Sequence, residues 1–306
     1  MTRYLKPSTS SAEQLNLLKR RGLAIPDPER AAWYLQRIGY YRLMGYLFPQ
    51  RLPLSDDYLP GASIVDAIET YELDCGLRKL VMEAVGHIEI AVKSRVTNHF
   101  TLTYGPFGHQ VASSVAFDPA WHEEWMGVLG AEVRRSKETF LLHYKTKYTN
   151  PPFPLVPLWM ASEVMSFGTT SRFYGALHPA DQKRIAHDFA LRVPVLKNWL
   201  HYTLVVRNVA AHHGRLWNRE LGVRPVRPHG RPWSETVTPF PTARCFYMLL
   251  VLRYLLGFTT ADVDDWRRRV TRLLESYLKD DRRIDAMGAG PGWQAHPLWL
   301  GTGQGG

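Results

Sequence analysis

The sequence predicts an all-α fold. Residues 64–100 contain no proline and place Ile64, Ile68, Tyr71, Leu77, Leu80, Val81, Val85, Ile88 and Val92 at three-and-four spacing, the pattern of one long amphipathic helix. No segment sustains the period-two alternation of β-branched residues that a half-buried strand requires. No internal repeat of the kind that builds solenoids is visible. At 306 residues and 45% hydrophobic content the chain can fill a substantial core.

The elements follow in order. Ser10 or Ser11, with Glu13 and Gln14, caps a helix through Lys19, and Gly22 and Pro26 end it. A second helix is expected over 28–38, after which Gly39, Gly45 and Pro49 interrupt the pattern. Gly76 and Gly86 offer bends within the long helix. Gly105, Pro106 and Gly108 open a loop, and 119–144 reads as one helix with a charged face. Pro151, Pro152, Pro154 and Pro157 then form a rigid connection, the best internal hinge. Helices are expected over 158–167, 171–177, 179–189 and 193–216. A Pro/Arg-rich loop over 221–239, with room for a small hairpin, precedes helices over 242–257 and 261–279. The expected organisation is an N-terminal helical region over 1–60, a main helical domain with insertions over 61–280, and a Gly-rich C-terminal tail over 281–306.

Thirty-eight Lys and Arg against 28 Asp and Glu give a formal net charge of +10, which favours polyanionic partners, nucleic acid first among them. Cys75 and Cys245 lie far apart within apolar helical patterns, as free thiols of a reducing cytoplasm do. The N-terminal ten residues carry no apolar core of a secretory signal. The most apolar run, 245–252, is flanked by Arg244 and Arg253 and is too short to span a bilayer, so it reads as a core helix and no membrane partner is expected.

Chemistry concentrates in one stretch. Val205, Val206, Arg207, Asn208, Val209, Ala210, Ala211, His212, His213, Gly214 and Arg215 run on into Leu216, Trp217, Asn218 and Arg219. On a continuous helix Asn208, His212, Arg215 and Arg219 form one stripe, with Arg207 on a neighbouring face. Imidazole, amide and guanidinium are what RNA cleavage without a metal uses: a base for the 2′-hydroxyl, an acid for the leaving 5′-oxygen, and cations for charge on phosphorus. Histidine suits acid–base exchange near neutrality, and the arginine fork binds phosphate oxygens bidentately. The bland alternative is a structural hydrogen-bond network near a helix end.

This stretch resembles the signature of the Abi-like abortive-infection family, the AbiD and AbiF group of bacterial phage-defence proteins. Its Arg-Asn-x-x-x-His core resembles the motif of HEPN domains. Further blocks match in order: Lys6 and Pro7 with Gln14, Arg21-Gly22-Leu23 and the run from Ile38 to Tyr46; Tyr71-Glu72-Leu73-Asp74 with Leu77-Arg78; His87-Ile88-Glu89-Ile90 and Arg95. Tyr104-Gly105-Pro106-Phe107, Ser136-Lys137-Glu138, His143-Tyr144, Pro157-Leu158-Trp159-Met160, Glu163-Val164 and Ser166-Phe167-Gly168 continue the match. Met287-Gly288, Trp293 and Pro297-Leu298-Trp299 close it. The likeness covers nearly the whole chain.

The resemblance implies a HEPN-like helical bundle with additional N-terminal and C-terminal helices, acting as a homodimer whose two motif helices meet in one composite site. Arg207 and His212 are then the catalytic pair, Asn208 supports them and His213 ranks second. It also implies a toxin that cuts RNA without a cofactor or metal and is restrained by a small non-coding RNA antitoxin. Glu89, Lys93 and Arg95, on the long helix, are accessory candidates. His99, with three residues between it and Arg95, departs from the motif spacing and is not counted as a second site. Expected RNA contacts are Arg215, Arg219, Arg42 among Tyr40, Tyr41 and Tyr46, and Arg224, Arg227 and Arg231 of the later loop, although core packing of the N-terminal helices is the favoured reading of the three tyrosines. The run Arg267-Arg268-Arg269 reads equally well as a solvated helix face.

Two other functions compete with the nuclease. In a pure binding module the same groove holds RNA or a partner protein without breaking a bond, and an imidazole at its centre has no task. A metal hydrolase would use His122, Glu123 and Glu124 or the His212-His213 pair, but neighbouring positions diverge around a helix and no His-x3-His or Cys-x2-Cys spacing occurs.

Overall fold

The computed structural model describes residues 7–230 and 232–302. Among these residues the chain is all-α, and its extended pairings are two isolated bridges, Ala24 with Ser63 and Arg51 with Tyr58. The chain forms two compact units. One holds the residues through Leu77 together with Leu273–Lys279, the other Arg78–Arg272 together with the chain from Asp280 onward.

The first unit contains α1 (Ser11–Arg20), α2 (Pro28–Ile38), α3 (Tyr40–Leu47) and the first turns of α4 (Ile64–Tyr104). Ser10 and Glu13 form the expected capping box: the Ser10 N–H donates to the Glu13 carboxylate at 2.7 Å, and the Glu13 N–H donates to Ser10 Oγ at 3.3 Å. Asp27 caps α2 by accepting from the Arg30 N–H at 2.9 Å, with Pro28 in the first helical position. Gly39, at φ 82°, separates α2 from α3. The interruption expected at Gly45 does not occur. Leu43, Met44, Tyr46 and Leu47 around it are buried, and their packing outweighs the weak helix propensity of one glycine. Tyr46 Oη donates to Asp74 Oδ2 at 2.8 Å within this core. Gly76 packs closely: a Cβ there would stand 2.9 Å from the Leu273 methyl groups.

The second unit continues α4 and adds α5 (Pro119–Arg135), α6 (Thr139–Lys147), α7 (Leu158–Val164), α8 (Phe167–Ala176), α9 (Pro179–His187), α10 (Val193–Ala211), α11 (Cys245–Leu256), most of α12 (Val263–Tyr277), α13 (Asp281–Met287) and α14 (Pro297–Leu300). The single helix expected over 119–144 is two. Ser136, between α5 and α6, is extended, and its hydroxyl accepts from the Glu138 N–H at 3.2 Å, a local bond that competes with helix continuation. The proline segment at 151–157 lies inside this unit.

All twelve residues of α11 are buried, as the apolar run predicts of a core helix. Each large apolar side chain so enclosed contributes about 1.5–3 kcal/mol of transfer free energy. Trp199 of α10 meets Tyr254 of α11 edge-on at 5.5 Å, and Trp233 lies against both Trp199 (5.3 Å) and Tyr254 (5.6 Å). On its other side α10 packs against α8 and α9. The loop at 221–239 shows no hairpin among its described residues. It is laid along α10, with Asn198 bonding the Val226 N–H at 2.7 Å and Trp199 Nε1 donating to the Val226 carbonyl at 2.8 Å.

The expected Gly-rich tail is folded over its described residues, 280–302. Trp293 and Trp299 are buried and pack together, and α14 lies on α11. Gly288, Gly292 and Gly301 turn the chain at φ of 70°, 71° and 80°, and a Cβ on Gly301 would stand 2.0 Å from Arg253 Nη2. No helix among the described residues is long and apolar enough to cross a membrane.

His109 bears on stability as well as on shape. It is 2% exposed, and burial, with a smaller effect of His122, pushes its imidazole down from 6.5 to about 4. A depressed folded-state value means that the unfolded chain binds the extra proton between those pH values. The stabilisation is therefore complete above pH 6.5 and is lost as pH falls towards 4. Chemical denaturation from pH 7 to 4 should show a loss of roughly 3 kcal/mol that a folded His109→Phe variant lacks; parallel pH profiles for the two proteins would refute this.

Candidate active site

The polar end of α10 grows out of an apolar helix. Val195, Leu196, Trp199, Leu200, Tyr202, Thr203, Val206 and Ala210 are buried. Arg207 is half-buried, and its Nη1 donates to Asn208 Oδ1 at 3.3 Å. Asn208 is exposed. One turn on, exposed His212 caps the helix, its backbone N–H donating to the Asn208 carbonyl at 3.0 Å. Asn208 and His212 therefore stand on one side of α10.

The helix then stops. The His213 N–H donates to the Ala210 carbonyl at 3.1 Å and the Gly214 N–H to the Val209 carbonyl at 2.7 Å, the paired closing bonds of a Schellman turn. His213 occupies the left-handed position at φ 55°, which glycine usually fills. Glycine is needed one residue later, because a Cβ on Gly214 would stand 2.9 Å from Val209 Cγ1 and 3.0 Å from its carbonyl oxygen. Leu216 and Trp217 then turn into the core.

This closure corrects the continuous helix expected over 193–216 and with it the four-residue stripe. Arg215 is half-buried in the loop. Arg219 is exposed and folds back over the turn, its Nη1 3.3 Å from where a Gly214 Cβ would stand. Arg244 donates to Asn218 Oδ1, holding the residue before Arg219, whose own φ is 45°. Arg207, Asn208, His212, His213 and Arg219 thus gather at one helix end, partly through a loop rather than a helical face.

The remaining candidates are placed elsewhere or are committed to other partners. Glu89 and Lys93 pair at 2.9 Å, with side chains 20% and 17% exposed. Arg95 donates to the Phe258 carbonyl and lies 4.3 Å over the Phe189 ring; burial lowers its pKa. Arg227 clamps the loop by donating to the Thr238 and Phe240 carbonyls, and Arg224 pairs with Glu220 at 3.1 Å. The Arg224 carbonyl is anchored by Asn198, about 15 Å along α10 from Asn208. Arg231 lies outside the described residues.

Arg42 is exposed on α3 of the first unit, where Tyr41 is exposed but Tyr46 is core. Arg267, Arg268 and Arg269 pair with Asp264, Asp265 and Glu83, the solvated-face reading, and Arg269 holds the Glu83 carboxyl below its ordinary range. His99 is tied to Asp181 at 2.7 Å, which also accepts from Tyr104 Oη at 2.7 Å. His122 is buried and donates to the His109 carbonyl, while Glu124 pairs with Arg172. Among the described residues no three His, Cys, Asp or Glu side chains are grouped to hold one ion. Sequence reasoning missed the Schellman closure, although Gly214 directly after two histidines was its signal, and it missed His109, which no spacing marks.

A family model described as Abi-like protein matches residues 33–218, from α2 to the residue before Arg219. No curated protein and no solved structure matches the chain.

Gly214→Ala should destabilise the protein by about 1–3 kcal/mol, because the intruding methyl meets a stiff β-branched side chain and a backbone oxygen. Urea unfolding measures it, and a variant as stable as the wild type would show that the turn relaxes freely.

Proposed function

The chain belongs to the Abi-like protein family, and from that membership and the polar end of α10 we propose that it is a HEPN-type endoribonuclease acting as a phage-defence toxin. The observation that carries the reading is the exposure of His212 one turn from Asn208, with the Arg207 guanidinium against that amide and Arg219 returning over the same turn. An imidazole open to solvent at the end of a helix has no packing task and is within reach of a substrate.

In the proposed reaction Arg207 holds the scissile phosphate and stabilises the charge that develops on it. His212 takes the proton of the 2′-hydroxyl as that oxygen bonds to phosphorus. The bond from phosphorus to the 5′-oxygen breaks, and the proton passes on to the leaving oxygen. The products are a 2′,3′-cyclic phosphate and a 5′-hydroxyl. These groups supply base, acid and cation, so the reaction needs no metal. Arg207 and His212 are five residues apart, about 140° around one helix. A single copy therefore does not aim both at one phosphate, and two facing copies do, so the working form is a homodimer. A small structured RNA suits the basic chain as the restraining partner.

The test is incubation with total RNA and end-labelled model RNA in excess EDTA, beside folded His212→Ala and Arg207→Ala variants. Cleavage with 2′,3′-cyclic phosphate ends, reduced on the order of 10²–10⁴-fold in His212→Ala and strongly in Arg207→Ala, is expected. RNA retained but uncut by the wild type, and bound equally by the variants, would replace the nuclease with a binding module. Activity abolished by EDTA and restored by a divalent ion would replace it with a metal hydrolase.

A further inference from the structure

Many cations of this chain are held by carboxylates. Arg21 and Arg51 pair with Asp56, Arg184 with Asp188, Arg224 with Glu220, and Arg267, Arg268 and Arg269 with acids on or beside α12. In the second unit the stretch 134–147 differs. It carries Arg134, Arg135, Lys137, Lys145 and Lys147 against one acid, Glu138, and so supplies four of the chain's ten net positive charges. All five cations are exposed, and none is ion-paired with a carboxylate among the described residues. The neighbouring acid on α5, Glu132, is engaged elsewhere, accepting from Thr169 Oγ1 at 2.9 Å and from the Ser166 N–H at 3.3 Å. Glu123 and Glu124 stand roughly 15 Å back along α5.

Three segments are drawn together here. α5 ends at Arg135, α6 begins at Thr139, and the proline segment lies against both. Arg134 Nη1 and Pro154 Cγ each stand 3.5 Å from the Cβ position of Gly130, and Lys145 Nζ lies 5.2 Å from the centre of the Phe153 ring. Phe153 and Pro154 thus tie the end of α5 to α6. Beside them Tyr148 is 45% exposed, with Lys147 Nζ 5.5 Å from its ring centre and the buried Tyr144 packed against it at 4.9 Å. Like charges crowded on one surface repel one another and lower stability unless a polyanion neutralises them. Phosphates do so, and the counterions they release favour the complex. The exposed tyrosine adds a surface on which an unpaired base stacks, which bases already stacked within a duplex do not need.

We propose that the end of α5, α6 and the proline segment form a docking surface for single-stranded RNA, its phosphates on Arg134, Arg135, Lys137, Lys145 and Lys147 and one base on Tyr148. The inference rests on the RNA reading and deepens it, because it names a surface outside α10 that grips the substrate strand. Phosphate contacts carry no sequence information, so this grip is the same for every sequence.

Fluorescence anisotropy of the full chain with an uncleavable 2′-O-methyl single strand, followed over a range of salt concentrations, tests it. Replacing both lysines, Lys145→Gln with Lys147→Gln, should flatten the slope of log K against log salt by about 1.4, the loss of two phosphate contacts to a single strand. The pair Arg184→Gln with Arg268→Gln removes the same net charge from cations that are already paired, and should leave the slope unchanged. Tyr148→Ala should weaken the single strand roughly tenfold and leave a duplex of the same sequence unaffected. A slope unchanged in the lysine variant, an equal loss in the Arg184 and Arg268 control, or a duplex bound more tightly than the strand with no effect of Tyr148→Ala would each overturn the proposal. A wild type that cuts RNA, with slope and cleavage both unchanged in the lysine variant, loses the surface and keeps the nuclease. One that shows the expected slopes and cuts nothing keeps the surface and loses the nuclease.

Discussion

A helix with no polar face must be wrapped on every side, and the wrapping of α11 sets the position of everything around it in the second unit. Its twelve residues are buried, with Trp199 of α10 on Tyr254, Trp233 closing over both, and α14 on another face. Tyr254 Oη also reaches the carbonyls of Phe189 and Ala190, which lead into α10. The apolar first half of α10 is thereby fixed between α11 and the pair α8 and α9. Its last turn, where Asn208 and His212 face solvent, is held by elements that take no part in the proposed chemistry, as a precise site requires.

The way α10 ends is the second constraint. Leu216 and Trp217 are drawn into the core only because the chain reverses at His213 and Gly214. That reversal leaves His212 on the final turn, puts His213 in a left-handed conformation and returns Arg219 over the helix end. A straight continuation would have spread the same cations along a helical face.

What was legible in the sequence were the features governed by local rules. The capping box at Ser10, the Asp27-Pro28 start of α2, the unbroken α4 and the core nature of 245–252 follow from spacing and capping chemistry. The misses were tertiary. Gly45 sits within α3 because its neighbours are buried, Ser136 breaks a helix by a local bond, and the tail folds because Trp293 and Trp299 find partners far away in sequence. At the site, Arg207, Asn208 and His212 were legible as a motif. The fate of the other arginines was not, since Arg95 and Arg269 take partners distant in the chain and Arg227 turns onto carbonyls at the end of its own irregular loop. Counting cations overstated how many are free to meet a polyanion.

On the proposed mechanism one phosphate is worked on by Arg207 from one copy and His212 from another, because one helix presents them on divergent faces. Mixing is the most direct measurement. Arg207→Ala and His212→Ala proteins, each inactive alone, are co-refolded so that mixed dimers form, and RNA cleavage is followed against the separate variants. The mixture should regain activity, since a mixed dimer contains one site with both an intact Arg207 and an intact His212. A mixture as inactive as its components, with mixed dimers demonstrated by mass, would contradict it and place both groups within a single copy.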